Sequence, residues 1–141
     1  GVDVLYYDAS EPASLILKRT DGSTTATSDQ FLFSRFGFAA SWAPTGERVA
    51  FAGRDGQCPY GLVVTTNTLA ILYAGTAPRA CDPSYSPDGS WLAYAGIQTL
   101  AGAEDGRLDV YMANSSGYGS RNLTSRLRGD VRLLGWVGPG S

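Results

Sequence analysis

Short runs of apolar and β-branched residues, separated by glycine, proline and asparagine, recur along the whole chain. This pattern is typical of β-strands, and no apolar stripe at helical spacing has capping residues at its ends. We therefore predict an all-β fold. The central part of the chain predicts four strands, here called A to D, at 39–42, 48–52, 61–65 and 69–73. The following part predicts four more, at 81–86, 91–95, 108–113 and 121–124.

These two sets of strands align with each other without a gap. Segment 41–53, with an Ala-Pro-Thr-Gly turn at 43–46, matches segment 84–96, with a Ser-Pro-Asp-Gly turn at 86–89, at an offset of 43 residues. A period in the forties with four strands per unit is typical of the blades of a β-propeller. The sequence therefore predicts blades of four antiparallel strands.

The remaining segments predict parts of two further blades. Segments 2–7, 15–23 and 24–27 align with strands B, C and D, and segment 131–136 aligns with strand A. We predict one propeller segment with three blades' worth of strands: 1–30 (blade 1, strands B to D), 31–75 (blade 2), 76–125 (blade 3) and 126–141 (strand A of a further blade).

Three blades are too few for a closed ring, since closed propellers typically have about four or more. We therefore expect two copies to form a six-bladed homodimer, in which each segment 126–141 completes the first blade of its partner. The alternative interpretation is that the sequence is part of a longer propeller or a module of a larger assembly.

The repeat resembles the PD40/TolB-like family of WD40-like propeller repeats. The elements that carry the resemblance are segments 85–89, 92–94, 54–56, 110–112 and 121–124, which read Tyr-Ser-Pro-Asp-Gly, Leu-Ala-Tyr, Arg-Asp-Gly, Val-Tyr-Met and Arg-Asn-Leu-Thr. The sequence departs from the family pattern at Thr45, at 61–64 and at 137–140. The resemblance implies a six-bladed bacterial protein, often periplasmic or extracellular, that binds a protein or peptide at its channel mouth.

Composition argues against several other functions. Eleven scattered cations and a formal charge of −2 disfavour nucleic-acid binding, and no apolar run approaches the roughly 20 residues that a membrane span needs. The absence of histidine excludes a Ser-His-Asp or Cys-His arrangement and leaves two cysteines unable to fill a zinc site. We predict no enzyme activity, no cofactor and no metal. Asp109 near Glu104 and Asp105 leaves carboxylate chemistry open, but a solvated loop is the favoured interpretation.

Two cysteines are predicted to form a disulfide. Cys58 lies in the B–C loop of the central unit, and Cys81 lies at the end of the next D–A connection. In a propeller these connections emerge on the same face, so the two thiols come from adjacent blades on one side. A disulfide suits an oxidising compartment, whereas the alternative is a pair of buried free thiols.

Arginine recurs before each predicted strand A. Arg35, Arg79 and Arg128 lie six to eight residues before the aromatic residue of that strand, and Arg54 and Asp55 lie in a loop at the same face. Arginine clusters bind carboxylates bidentately, so these five residues predict a ligand site at the channel mouth. The expected ligand is an acidic peptide, the C-terminus of another protein or an acidic glycan. The alternative is that each arginine pairs with a local acid such as Asp82 or Asp130.

The aromatic residues of the three predicted A strands, at Trp42, Tyr85 and Trp136, are expected to pack between blades. The sequence thus predicts a non-enzymatic extracytoplasmic propeller that binds a protein or peptide. The alternatives are a carbohydrate-binding, lectin-like propeller and the accessory propeller of a hydrolase. The first residues are not a secretory signal, so we expect any targeting peptide to have been removed.

Overall fold

A computed structural model describes residues 3–8, 14–28, 37–98 and 106–138. Within these ranges the protein contains β-strands and no helix, which agrees with the predicted all-β class. The ten strands are β1 (Asp3–Asp8), β2 (Ser14–Arg19), β3 (Thr24–Ser28), β4 (Ala39–Trp42), β5 (Arg48–Ala52), β6 (Tyr60–Thr66), β7 (Ile71–Tyr85), β8 (Trp91–Ile97), β9 (Asp109–Asn114) and β10 (Arg121–Asn122). They form two antiparallel sheets, β1–β2–β3 and a seven-stranded sheet that runs from β4 to β10 in sequence order.

One long strand, β7, connects the two halves of the larger sheet. The sequence predicts a D strand at 69–73, a connection, and an A strand at 81–86, but residues Ile71–Tyr85 form a single strand. Ala80 in its middle lies opposite both Tyr60 of β6 and Gly96 of β8. The predicted loop is therefore wrong, because Arg79 and Ala80 at its end have ladder partners on both sides.

Close backbone contact explains why the glycine in β7 does not mark a turn. A Cβ atom on Gly61 of β6 would lie 1.7 Å from the Gly75 carbonyl oxygen, so only glycine fits at position 61. The glycine pair lets β6 and β7 approach each other, and the register of the two strands shifts between Gly61 and Val63.

The strands bury apolar residues in two layers, because alternate side chains of a strand point to opposite faces. The first layer lies between the small sheet and β5–β6. It is formed by Val49, Phe51, Val63 and Leu69, with Leu5, Tyr7, Ala26, Phe38, Trp42 and Tyr60 packed against them. The second layer joins the two halves of the large sheet and contains Ala43, Ala50, Ala52, Leu62, Val64, Ala80, Tyr85, Leu92, Tyr94, Tyr111 and Ala113.

Two repeated turns lie at one end of the large sheet. In the first, Ala43 N donates to Arg48 O and Gly46 N to Ala43 O; in the second, Ser86 N donates to Trp91 O and Gly89 N to Ser86 O. The second turn adds side-chain bonds, since Ser86 Oγ donates to Asp88 Oδ1 at 2.7 Å. The 43-residue repeat of the sequence is thus a repeat of backbone hydrogen bonding.

The predicted A strand at 131–136 is not a strand in this structure. Its residues pair with no strand among the described residues. Instead, Val131 N donates to Leu108 O and the Trp136 indole donates to Ser84 O at 2.9 Å. A strand needs a hydrogen-bonded neighbour, and neither contact extends into a ladder.

Candidate functional site

The loops that follow β5, β8 and β10 lie at the end of the large sheet opposite the repeated turns. The pairing register places these loops at one end of the sheet. Ala80 lies opposite Tyr60 and Gly96, and Gly96 lies opposite Asp109, so these residues form a row across the strands near the loops. The sequence places Arg54, Asp55 and Arg128 in loops beyond this row. We call this side of the molecule the loop end.

The loop at 53–57 is held firmly against β7. Gly53 N donates to Ala80 O at 3.0 Å, and Asp82 N donates back to Gly53 O at 2.9 Å. Gln57 N closes a tight turn by donating to Arg54 O. A Cβ atom on Gly53 would lie 2.0 Å from the Gln57 carbonyl oxygen, so this turn requires glycine at position 53.

The Asp82 carboxylate fixes the tip of the same loop. Its Oδ1 accepts a hydrogen bond from Asp55 N at 2.8 Å and its Oδ2 one from Gly56 N at 2.9 Å. Asp55 and Asp82 have positive φ angles of 55° and 53°, a conformation that aspartate tolerates better than most residues. The carboxylate therefore holds two successive N–H groups of the loop in one orientation.

A disulfide between Cys58 and Cys81 is the third tie between this loop and β7. The Cα atoms lie 4.7 Å apart, and both cysteines are buried against Ala95 and Leu108. The predicted pairing is confirmed, but Cys81 lies within β7 opposite Ala95 and not at the end of a loop. Both cysteines of the protein are thus part of the support of the loop at 53–57.

Two of the candidate ligand residues lie on this supported loop. The Arg54 side chain is 58% exposed and that of Asp55 is 90% exposed, with Nε and Oδ2 4.0 Å apart. The Arg54 guanidinium lies against Gly37, where a Cβ atom would come within 2.7 Å of Nε. The loop thus holds its backbone in place and leaves these two side chains available to solvent.

Arg132 is a further cation at this loop that the sequence analysis missed. Its guanidinium lies against Gly56, where a Cβ atom would come within 2.9 Å of Cζ. No sequence pattern indicates this placement, because 131–136 reads as a strand. The loop at 53–57 therefore carries one arginine, Arg54, and is contacted by another, Arg132, from a segment far away in sequence.

The other candidate arginines have different surroundings. Arg79 lies half-buried in β7 opposite Gly61 and Ile97, and not in a connection as predicted. Arg128 is exposed, between Leu127, whose carbonyl accepts from Arg107, and Asp130, whose carboxylate accepts from Leu108 N. Arg35 lies outside the described residues. Arg54, Arg79 and Arg128 are thus placed at the loop end, while only Arg54 and Asp55 share one loop.

The carboxylate of Asp109 has a structural environment. It is buried and accepts hydrogen bonds from Arg107 Nη2 at 3.0 Å, Asn122 Nδ2 at 3.0 Å and Thr124 Oγ1 at 2.7 Å. These bonds engage both oxygens and tie Arg107, Asn122 and Thr124 to the start of β9. Glu104 and Asp105, considered together with it, lie outside the described residues. Within the described ranges, no three His, Cys, Asp or Glu side chains cluster as metal ligands.

An apolar groove of about 220 Å³ lies on the outer face of β8 and β9. The sheet contributes Ala93, Val110 and Met112, and the C-terminal part of the protein contributes Leu123, Leu133 and Trp136. Leu134 between the last two is 98% exposed. Like the two apolar layers, this groove lies on the face of a sheet, but a sheet forms only one of its sides and the C-terminal residues form the other. Over the part of the sequence that the structure describes, no helix is long and apolar enough to span a membrane.

The repeated four-strand units, their antiparallel ladders and the apolar layers between them define a β-propeller type of fold. Comparison with solved structures supports this class. The protein is similar to a protein of Agrobacterium tumefaciens assigned as TolB, with a TM-score of 0.55 and 17% identity over 86% of this protein and 42% of that one. It is also similar to TolB of Acinetobacter baumannii, with a TM-score of 0.48 and 18% identity over 87% of this protein and 30% of that one.

The sequence spans less than half the length of either TolB structure. At these identities the likeness concerns the fold alone. No protein-family model matches the sequence, and no curated protein sequence matches it either.

Proposed function

We propose that the protein is a non-enzymatic binding propeller whose loop end takes an acidic segment of a protein or peptide partner. The observation that carries this proposal is the loop at 53–57, which two backbone hydrogen bonds, the Asp82 carboxylate and the disulfide all hold in place. A loop held in this way loses little conformational entropy when a ligand binds. The backbone that carries the exposed Arg54 is therefore already in place before a ligand binds.

Charge at the loop end favours a carboxylate ligand. Arg54 is part of this loop and Arg132 lies against it at Gly56, and Arg79 and Arg128 lie at the same end. A guanidinium presents paired N–H donors that match the two oxygens of a carboxylate. Asp55 on the same loop repels anions, so we propose that it selects ligands that also present a donor group to it. Of the site residues proposed from the sequence, we propose Arg54, Asp55, Arg79 and Arg128 for this surface; Arg35 lies outside the described residues and stays a prediction from the sequence.

We further propose a periplasmic or extracellular location and a six-bladed ring. The Cys58–Cys81 disulfide supports the location, because disulfides persist in oxidising compartments. The two internal apolar layers join residues of the first three blades proposed from the sequence, at 1–30, 31–75 and 76–125, and 126–141 is proposed from the sequence alone. We propose that two copies of this sequence form the ring.

Binding of an acidic peptide tests the proposed ligand. A fluorescein-labelled hexaglutamate peptide is titrated with the protein in low salt, and fluorescence anisotropy reports binding; the hexaglutamine peptide is the matched control. We expect Arg54→Gln and Arg132→Gln each to weaken hexaglutamate binding about 5- to 50-fold, as expected for loss of a charge-assisted hydrogen bond. The thermal midpoint should stay nearly unchanged, because Arg54 is largely exposed.

Arg19→Gln provides the control variant. Arg19 is exposed, pairs with Asp3 at 3.8 Å and adjoins the turn after β2. The Arg19→Gln protein should bind hexaglutamate as the unsubstituted protein does. Equal binding of both peptides, or equal loss in all three variants, contradicts the proposed site.

A further inference from the structure

We propose that a second copy of this protein covers the groove of β8 and β9 with the outer face of its β1, and that this β1 pairs with segment 131–136. The inference rests on the propeller organisation proposed above and assigns its missing contact to particular residues. It concerns the two outer faces of the stacked sheets and shares with the loop end only Arg132, which lies in segment 131–136 and contacts Gly56.

The two outer faces are the apolar surfaces left uncovered at opposite ends of the stack. On β1, Val4 is 54% exposed and Tyr6 is also exposed, while the alternate residues Leu5 and Tyr7 face the first apolar layer. On the other side, the groove over Ala93, Val110 and Met112 remains open. The two internal apolar layers lie between these faces, so β1 cannot reach the groove of its own copy.

The repeat shows that these two faces match each other. Val4 and Tyr6 correspond in the repeat to Val49 and Phe51 and to Leu92 and Tyr94. Ala93 and Ala95 correspond to Ala50 and Ala52.

In the second apolar layer, the large Leu92 and Tyr94 pack in one cluster with the small Ala50 and Ala52. A contact of Val4 and Tyr6 with the Ala93 groove therefore repeats a contact that the protein already makes, with large residues set against small ones.

Segment 131–136 aligns with strand A, the strand that pairs with strand B in each blade, and β1 aligns with strand B. The Trp136 indole donates to Ser84 O of β7 at 2.9 Å. At the corresponding place one repeat earlier, Tyr85 N of β7 donates to Ser41 Oγ of β4 at 3.2 Å. The repeat-equivalent residues Trp136 and Tyr85 thus each donate to the serine of the preceding A segment, Trp136 through its indole and Tyr85 through its backbone N–H. Trp136, however, has no neighbouring strand among the described residues.

The repeat also fixes the register of the pairing. In the two ladders that are present, Trp42 lies opposite Val49 and Tyr85 lies opposite Leu92. The equivalent residues in the missing ladder are Trp136 and Val4. An antiparallel pairing in this register places Leu134 opposite Tyr6, which gives both exposed side chains a partner.

A twofold dimer makes this contact twice and leaves neither face open. Each copy gives its β1 face to the groove of the other. The same operation supplies both segments 131–136 with a ladder and gives β1 a partner on its unpaired edge. The occupant of the groove is therefore a second copy and not a small ligand.

Molar mass is the first test. Light scattering after size exclusion should give twice 14.9 kDa for the intact protein at micromolar concentration. Tyr6→Arg places a charge in the proposed contact at an exposed position, so we expect a folded monomer with unchanged far-ultraviolet circular dichroism. The proposal is overturned if the unsubstituted protein is a monomer of 14.9 kDa up to about 100 μM. At that concentration even a weak dimer with a Kd of about 10 μM is mostly formed.

Cysteine cross-linking tests the register. Tyr6→Cys and Leu134→Cys proteins are mixed and oxidised mildly, and non-reducing gels should show most of the mixture as a covalent heterodimer. Tyr6→Cys mixed with Tyr118→Cys is the matched control, because Tyr118 is exposed at the opposite end of the sheet and should give only background. Equal cross-linking in both mixtures overturns the register.

The same preparations separate this proposal from the proposed function. Hexaglutamate binding is measured on the Tyr6→Arg monomer and on the unsubstituted protein. A Tyr6→Arg monomer that still binds hexaglutamate shows that the ligand site does not need the second copy. An unsubstituted protein that is monomeric and binds hexaglutamate overturns the dimer alone, whereas an unsubstituted dimer that does not bind hexaglutamate overturns the proposed ligand alone.

Discussion

The Thr124 hydroxyl donates a hydrogen bond of 2.7 Å to Oδ1 of Asp109, and it accepts one of 3.0 Å from the backbone N–H of Val110. Thr124 is the last residue of the Arg-Asn-Leu-Thr segment by which the sequence resembles PD40/TolB-like repeats. Asn122 of the same segment also binds Asp109. In this protein the motif ties the residues after β10 to the start of β9, which is a structural role.

Replacement of Thr124 by valine should lower the free energy of unfolding by about 1–3 kcal/mol, because it leaves the Val110 N–H and one Asp109 oxygen with one bond fewer in a buried site. Chemical denaturation measures the change. Thr45→Val, at an exposed turn position, is the control and should be close to neutral. Equal effects of the two substitutions would contradict the assigned role.

Removal of the disulfide should destabilise the protein strongly. Cys58 and Cys81 close a loop with a sequence separation of 23, for which loop-closure entropy gives about 3 kcal/mol. We expect the Cys58→Ala, Cys81→Ala double variant to lose about this amount in urea denaturation. Mass spectrometry after alkylation without reduction provides the direct check, and labelling of both cysteines in the native protein would refute the bond.

The role of Asp82 in holding the loop at 53–57 can be tested by its amide. Asp82→Asn keeps a side chain that tolerates the positive φ but turns one acceptor into a donor beside the Asp55 and Gly56 N–H groups. We expect a loss of about 1–2 kcal/mol and faster hydrogen exchange of these two amides. Asp55→Asn is the matched control, since Asp55 has nearly the same φ and is exposed. Unchanged exchange in Asp82→Asn would contradict the proposed support.

Acid should weaken the Ser-Pro-Asp-Gly turn. The hydrogen bond from the Ser86 side chain, followed by that from Ser90 N, lowers the pKa of Asp88 below its ordinary value of 3.8. A lowered pKa in the folded state contributes stability above the unfolded pKa, and this contribution is lost as the pH falls through the folded value. Between pH 5 and about pH 2.5, the urea midpoint of Asp88→Asn should therefore fall less than that of the unsubstituted protein. Parallel curves would argue against this role of the charge.

Alkali should weaken the second apolar layer. Burial raises the pKa of Tyr94 to about 12, and its hydroxyl shares a 2.6 Å hydrogen bond with Ser120 Oγ. A raised pKa contributes stability that is complete below the unfolded pKa of about 10 and is lost as the pH rises through 12. Thermal midpoints of Tyr94→Phe should therefore decline less between these values. Tyr118→Phe, at an exposed position, is the control and should follow the unsubstituted protein.

The sequence predicted most strands because their residues alternate or repeat at 43 residues. Strands β4, β5 and β8 occur where the two aligned segments place them, and the turn at 86–89 has the bonds that a Ser-Pro-Asp-Gly turn requires. It failed at β7, where it predicts a connection between strands at 69–73 and 81–86 and the structure has a single strand. Glycine there meets a close backbone neighbour, Gly61, and sequence alone does not separate this role from a turn.

Prediction of the candidate site was limited in a similar way. The two cysteines could be paired because propeller connectivity places their segments on one side. The contact of Arg132 with Gly56 depends on how segment 131–136 packs, and no local pattern encodes that packing. The alternative interpretation paired each arginine with a local acid such as Asp82, whereas the Asp82 carboxylate accepts hydrogen bonds from two backbone N–H groups.

The length of β7 has a consequence for how the protein unfolds. Modules joined by flexible linkers can melt one after another, but residues Ile71–Tyr85 belong to the ladders of both halves of the large sheet. Frayed residues at the middle of this strand break two ladders at once. The two halves should therefore melt in a single cooperative transition, with the slowest amide exchange near Ala80.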